Sequence, residues 1–259
     1  MPMTPTVQRI VLITDFGPGL YVGQLQAWLT AWLPQVPILD LIHDLTPFRP
    51  DLAGYLLPAM VRDMPSGTLY VCVVDPGVGG ARAGLLIETP GAWFIGPDNG
   101  LFAPLVRATP AARPHRIGWQ PEQMSASFHA RDWFVPAAHR WVRGQSLDLS
   151  RLEPAAMVGG DWPSEQAAIL YRDHFGNLMT GLRAQGRSHS GLLHVGDRLL
   201  RHARTFCEAP SGMPFWYENS LGLIEIAVNQ GSAQRRLGLV PGDPVGPFCN
   251  PDGTRIEIG

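Results

Sequence analysis

Apolar and polar positions fall into blocks whose character changes near residue 160. Arg9-Ile10-Val11-Leu12-Ile13-Thr14 is a short apolar run rich in β-branched residues and reads as a buried strand. It stops at a turn, Asp15-Phe16-Gly17-Pro18-Gly19. Over residues 21–33, Tyr21, Leu25, Trp28, Leu29 and Trp32 recur at helical spacing, and Pro34 closes the helix. Residues 36–42 read as the next strand, Pro50–Val61 as a helix, and 67–74 (GTLYVCVV) as a third buried strand. Short strands are expected at 85–87 and 93–95. This alternation predicts a mainly parallel sheet covered on both faces. In such sheets ligand sites form beyond the carboxyl ends of the strands. Asp15, His43, Asp44 and Asp75 all follow apolar strands directly.

From about 110 to 165 the pattern is irregular, with one helix expected over 133–142. Beyond Pro163 the segments shorten. Residues 167–171, Leu192–Val195, 197–200, Leu223–Val228 and 254–258 read as strands between turn signals such as Phe175-Gly176-Asn177 and Pro241-Gly242-Asp243. That spacing predicts a small antiparallel barrel or sandwich. The boundary is drawn between 162 and 163, giving an α/β domain over 1–162 and an antiparallel β domain over 163–259.

Composition narrows the possibilities. With 259 residues, 45% hydrophobic and 16% charged, the chain has the material for real cores and is not a disordered type. The 29 glycines and 25 prolines imply many tight turns instead of a long-helix bundle. A net charge of −2 gives no electrostatic reason to bind nucleic acid or an anionic membrane. All 20 Lys+Arg residues are arginine. Codon bias accounts for that, but it still removes a Schiff-base lysine, a pyridoxal phosphate anchor and a Walker A loop. Cys72, Cys207 and Cys249 form no CxxC pair, so neither a zinc ribbon nor a redox motif is expected, and a reduced cytoplasm fits. The amino terminus lacks an apolar signal core and no apolar run approaches about 18 residues, so a soluble cytoplasmic protein is expected.

Five segments carry candidate chemistry. Gly17-Pro18-Gly19-Leu20-Tyr21-Val22-Gly23 follows a strand and opens a helix, like a dinucleotide fingerprint with Asp40 in the ribose place. Its spacing is GxGxxxG, however, and Asp15 beside it would repel a pyrophosphate; Asp15 suits a diol or a cation better. In Val73-Val74-Asp75-Pro76-Gly77-Val78-Gly79-Gly80-Ala81-Arg82 an apolar strand delivers a carboxylate into a glycine-rich loop, and Arg82 can return to pair with it. An ordinary strand-end Asp with a surface Arg is an equal reading. Gly96-Pro97-Asp98-Asn99-Gly100-Leu101 reads foremost as a hairpin turn, with a polar wall near the same site as the other reading. His129 precedes a helix for which Asp132 is a plausible N-cap; the positive helix end disfavours imidazolium and leaves a neutral ring able to orient or deprotonate water. No HExxH-like spacing surrounds it, so no His-based metal site is expected. In the second domain, Asp173-His174-Phe175-Gly176-Asn177 could stack on and read a base, or could simply be an Asx turn. Tyr217-Glu218-Asn219-Ser220-Leu221-Gly222-Leu223-Ile224-Glu225-Ile226-Ala227 is a second such segment, a polar turn running into an apolar strand.

Taken in order, these segments resemble one family, the S-adenosyl-L-methionine (SAM) hydroxide adenosyltransferases, or adenosine-forming SAM hydrolases, relatives of fluorinase and chlorinase. The resemblance rests on Thr14-Asp15-Phe16-Gly17 with Tyr21-Val22-Gly23, His43-Asp44-Leu45-Thr46-Pro47-Phe48, and Val74-Asp75-Pro76-Gly77-Val78-Gly79 with Arg82. Pro97-Asp98-Asn99-Gly100-Leu101, Phe128-His129-Ala130-Arg131-Asp132, Phe175-Gly176-Asn177 and Asn219-Ser220-Leu221-Gly222 complete it. It implies an N-terminal α/β domain, a C-terminal β-barrel, and a homotrimer with each site between one subunit's large domain and a neighbour's small one. It also implies that water, as hydroxide, attacks C5′ of the SAM ribose and gives adenosine and methionine, with SAM as substrate and neither cofactor nor metal. The family's Asp-Arg-His set falls on Asp75, Arg82 and His129, a set that the halogenating relatives lack. Asp15 matches the ribose-diol carboxylate and Phe48 an aromatic flanking the ligand. Asp173, Phe175 and Asn177 match the adenine and ribose side, and Tyr217 and Ser220 fall near the methionine end. There are departures. The family's first loop carries a second Asp that is absent from Pro18-Gly19-Leu20, Ala130 replaces Gly or Ser, and Leu221 replaces an aromatic or Arg. A nucleoside-binding protein with little turnover, and a SAM-dependent halogenase, are the alternatives.

Overall fold

The computed structural model describes residues 6–249 and 254 of the chain. Most of the strand expected at 254–258 lies outside the described residues. The chain divides into two compact units, Met1–Trp162 and Pro163–Gly259.

The first unit runs β1 (Arg9–Thr14), α1 (Leu20–Trp32), β2 (Ile38–Ile42), α2 (Pro50–Val61), β3 (Thr68–Val73), β4 (Gly84–Thr89) and β5 (Ala92–Pro97). Then come α3 (Ala103–Ala108), β6 (Arg113–Ile117), a π-helical turn (Ala130–Phe134), α4 (Val135–Val142) and β7 (Leu149–Arg151). The seven strands form one sheet in the order β2-β1-β3-β5-β4-β6-β7. The half that carries β2, β1, β3 and β5 is parallel, and β4, β6 and β7 add an antiparallel extension. β1 and β3 are apolar along their length because both faces are covered. Ile10, Leu12, Leu69 and Val71 pack with Leu25 and Leu29 of α1 and with Val135, Ala137 and Ala138 of α4. Strand alternation turns Tyr70 to the opposite face, where it stacks on Phe94 at 4.6 Å, and Phe94 meets Phe102 at the start of α3.

Three elements escape the periodicity reading. α3 is only six residues long with Pro104 near its start, too short for a helical repeat. β6 (RPHRI) is polar and contains a proline, and β7 has three residues. Asn99-Gly100 is not the hairpin turn expected: β5 passes through it into α3, and Gly100 takes a φ of 99°. Asp132 is not an N-cap either. It lies inside the π-helical turn and accepts a hydrogen bond from the Ser125 N–H at 2.9 Å.

The second unit contains β8 (Gln166–Arg172), β9 (Leu178–Arg183), β10 (Leu192–Val195), β11 (Arg198–Leu200), β12 (Pro214–Glu218), β13 (Leu223–Val228), a short α5 (Ala233–Leu237) and β14 (Phe248–Cys249). Its sheets have the orders β12-β13-β9-β8 and β11-β10-β14, all antiparallel. Bridges at Ala168–Pro244 and His202–Trp216 join the edges of one sheet to those of the other, so the strands close into a small barrel. Leu178, Leu193, Trp216, Ile224, Ile226 and Phe248 fill it. The sequence reading misses β9, which Thr180 and Gly181 interrupt, and β12, which opens on a proline. Among the described residues no helix is long and apolar enough to cross a membrane.

Candidate active site

Because β1, β2, β3 and β5 are parallel, their carboxyl ends share one edge of the sheet, and Asp15, His43, Asp75 and Asn99 all leave from it. The loop after β3 returns Arg82 onto Asp75. Arg82 Nε donates to Asp75 Oδ1 and Oδ2 at 3.1 and 2.9 Å, and Nη2 donates to Oδ2 at 2.5 Å. The same Nη2 lies 2.9 Å from His129 Nδ1. The pair is nearly buried, with Arg82 and Asp75 side chains 10% and 4% exposed. The guanidinium carbon also lies 5.4 and 5.3 Å from the ring centroids of Trp133 and Phe134, a cation–π arrangement. Gly79 makes the approach possible: its φ is 81°, and a Cβ there would strike the Ala126 carbonyl of the segment leading to His129.

This geometry fixes the state of His129. A guanidinium only donates, so Nδ1 must accept, and the ring proton is on Nε2. Burial, followed by the Arg82 charge, holds the imidazole below its ordinary value; Asp75 and Asp132 oppose this less strongly. The result is a neutral histidine with its Nε2–H as a donor. The Asn99 side-chain amide donates to the Val74 carbonyl at 2.8 Å, immediately before Asp75, and so ties the end of β3 to the end of β5.

Asp15 is half-buried and accepts from the Phe48 N–H at 3.0 Å. Burial raises its pKa above the usual carboxylate value, against the backbone hydrogen bonds. Phe48 has a φ of 64°, an unfavourable left-handed conformation for a bulky residue, and its ring is 72% exposed. Thr14 Oγ1 contacts His43 Nδ1 at 2.7 Å, and His43 Nε2 lies 3.1 Å from Asp40. Phe16, Tyr21 and Phe128 form an edge-to-face aromatic trio between the first loop and the His129 segment. α1 starts with an exposed Leu20 and has no acidic residue in its first turn.

In the second unit, Asp173 holds Asn177 twice: Oδ1 accepts from its N–H at 2.8 Å and Oδ2 from its amide Nδ2 at 2.9 Å. That leaves Asn177 Oδ1 buried with no hydrogen-bond partner. Gly176 between them has a φ of 87°. Phe175 projects at 74% exposure. Tyr217 OH donates to Glu225 Oε1 and Asn219 Nδ2 to Glu225 Oε2, both at 2.7 Å, while Asn219 Oδ1 accepts from Leu221 and Leu223. Ser220 is exposed in the adjoining turn. Burial first raises the Glu225 pKa, with Asp173 adding to it; Tyr217 is pushed up by burial and by Glu225.

Of the residues singled out in the sequence, Asp75 and His129 are therefore brought together through Arg82, which contacts both, with Asp15 on the same sheet edge. Asp173 and Asn177 are in contact, and Tyr217 belongs to a neighbouring network. The sequence reading gave no role of their own to Asn99 and Glu225, which it noted only within longer segments. Glu225 had a signal: it is the one carboxylate inside an otherwise apolar strand, LIEIAV. Among the described residues no three His, Cys, Asp or Glu side chains are grouped as metal ligands.

Comparison with known proteins converges on one family. The model of the SAM hydroxide adenosyltransferase N-terminal domain matches residues 10–151, and that of the C-terminal domain matches 167–246. An (R)-S-adenosyl-L-methionine hydrolase of Thermus thermophilus is 38% identical over 92% of this chain and 99% of its own length. One from Salinispora arenicola is 33% identical over 94% and 97%. A solved structure of a conserved protein from Thermotoga maritima superposes with a TM-score of 0.78 at 26% identity, covering 93% of this chain and 100% of the other.

Proposed function

The chain belongs to the SAM hydroxide adenosyltransferase family, and on that premise we propose that it hydrolyses S-adenosyl-L-methionine to adenosine and L-methionine. The observation that carries the mechanism is the single guanidinium joined to both Asp75 and His129. A sulfonium is already a good leaving group, so the task is to aim and desolvate a nucleophile in line with the C5′–S bond. Free water has a pKa near 15.7, so it is not pre-ionised, and its deprotonation comes late. The His129 Nε2–H donates to the water and fixes one lone pair. Water oxygen forms the bond to C5′, the C5′–S pair leaves on sulfur, and Asp75 takes the released proton. Arg82 holds both partners and keeps His129 from acting as the base. SAM is the substrate, and the reaction as proposed uses no metal or cofactor.

Asp15 is assigned to the ribose hydroxyls, with Phe48 beside the ligand. Asp173, Phe175 and Asn177 are assigned to the adenine and ribose side, and Tyr217 and Ser220 to the methionine end. The orphaned Asn177 Oδ1 supports this, since a ligand donor would satisfy it. We propose a homotrimer in which a neighbour's small domain completes each site; the exposed Leu39 and Leu41 on edge strand β2 favour self-association. Three free cysteines favour a cytoplasmic setting. The first turn of α1, without a carboxylate, favours weak recognition of the substrate's amino group. A sulfonium analogue lacking that group should therefore react at a comparable kcat/KM; a loss of about a hundredfold would refute this part.

Chromatographic detection of adenosine and methionine from purified protein and SAM tests the activity. Catalytic amounts support it. One adenosine per subunit without turnover would favour the binding protein, and 5′-halogenated adenosine in chloride or fluoride would favour the halogenase.

A further inference from the structure

Glu225 is used by none of the steps above, yet it is the most deeply buried carboxylate described, at 2% exposure. It sits in the row Tyr217–Glu225–Met179–Tyr171 that crosses β12, β13, β9 and β8, on the face opposite the Trp216, Ile224 and Ile226 core. Both its oxygens accept from neutral donors, Tyr217 OH and the Asn219 amide. A glutamine would serve this network equally well. Its Oε1 would accept from Asn219, and its amide would donate to a Tyr217 hydroxyl turned the other way. The glutamine would also avoid the cost of burying a charge. The contacts therefore do not explain why an acid is present. No Arg, Lys or His is hydrogen-bonded to Glu225 among the described residues. The ionisable groups that face it are Tyr217 from β12 and Asp173 from the β8–β9 turn; burial and the Asp173 charge disfavour its ionised form, and the hydrogen bonds donated by Asn219 and Tyr217 offset this only in part.

We propose that Glu225 is a specificity-determining residue whose buried carboxylate, placed behind Tyr217, favours a ligand carrying a sulfonium over the matching neutral thioether. The proposal rests on the reading of SAM as substrate. A cation seated near Tyr217 and Asp173 relieves the strain of that buried charge, while a neutral ligand does not. The selection weakens as pH falls and Glu225 takes up a proton, since the neutral acid offers a cation nothing that the thioether lacks.

The test compares SAM with S-adenosylhomocysteine, which has the same adenosine and amino acid but an uncharged sulfur. In Glu225→Gln the KM for SAM should rise about tenfold, while the Ki of S-adenosylhomocysteine stays within about twofold of wild type. An equal rise in both constants means a structural role and overturns the proposal, as does no change in either. If the variant does not fold, wild-type enzyme decides: the ratio of SAM KM to S-adenosylhomocysteine Ki should rise as pH is lowered from about 8 to about 5, and a flat ratio refutes the selection. A wild-type protein that does not turn over SAM removes the functional reading itself; a turning-over enzyme with unchanged discrimination removes only the role of Glu225.

Discussion

An arginine cannot accept a hydrogen bond, so the 2.9 Å contact between Arg82 and His129 leaves the imidazole one arrangement: Nδ1 as acceptor, Nε2–H as donor. Protonating Nδ1 would set two donors against each other. Because burial and the Arg82 charge lower the pKa of His129, kcat/KM should stay level as pH falls through 6.5, the ordinary histidine value, and drop only below it. A pH–rate profile with an acid limb centred above that value would contradict the assignment. The linked stability has the same sign. A histidine with a depressed folded pKa stabilises the fold above the unfolded value, and that contribution is lost as pH falls from there towards the folded value. Replacing Asp75 by Asn should lower kcat by roughly 10²–10⁴, and a variant turning over at the wild-type rate would refute the acceptor role. Arg82→Lys should act similarly, because a lysine ammonium cannot hold a carboxylate bidentately and reach Nδ1 as well. The Asp75–Arg82 pairing was legible in the sequence as one of two readings, since the glycine-rich loop gave Arg82 room to return. A neutral His129 was also expected, from the helix end, but its tautomer was not legible, because it depends on a contact 47 residues away.

Within elements, the sequence was most informative where periodicity was long and both ends were marked. Pro50–Val61 has its proline start and unbroken apolar repeat, and Arg9–Thr14 has a β-branched run ended by a turn. It was least informative where an element is short or its pairing decides its state, as in α3, β6 and β9. The Asn99-Gly100 pair shows why: the dipeptide fits a hairpin, but the Asn99 amide is drawn to the Val74 carbonyl across the sheet edge, a partner invisible to local reading. Two element-level predictions follow from the loops. Gly79→Ala should lower both activity and thermal stability, by about 1–3 kcal/mol, because its φ of 81° and the Ala126 carbonyl leave no place for a Cβ; an unchanged Tm would contradict that packing. At Phe48 the sign reverses. Phe48→Gly relieves the left-handed strain, so its Tm should exceed that of Phe48→Ala even though both lose the ring. Equal melting temperatures would show the 64° φ carries no cost.

For the whole molecule, the change of sequence character after Pro163 corresponds to a change from a mixed sheet flanked by helices to two antiparallel sheets bridged into a small barrel. The parallel half of the large sheet is what collects Asp15, Asp75 and Asn99 along one edge, although 84 residues separate the first from the last. The barrel was visible in the sequence only as a series of short strands, because its closure depends on two bridges that leave no periodic trace. The central claim is that a water oxygen becomes the 5′-oxygen of adenosine. Turnover of SAM by the purified protein in ¹⁸O-enriched water tests it directly by mass spectrometry of both products. Adenosine should carry the heavy isotope at its 5′-hydroxyl and methionine should carry none. Adenosine released without the label would contradict attack by water at C5′.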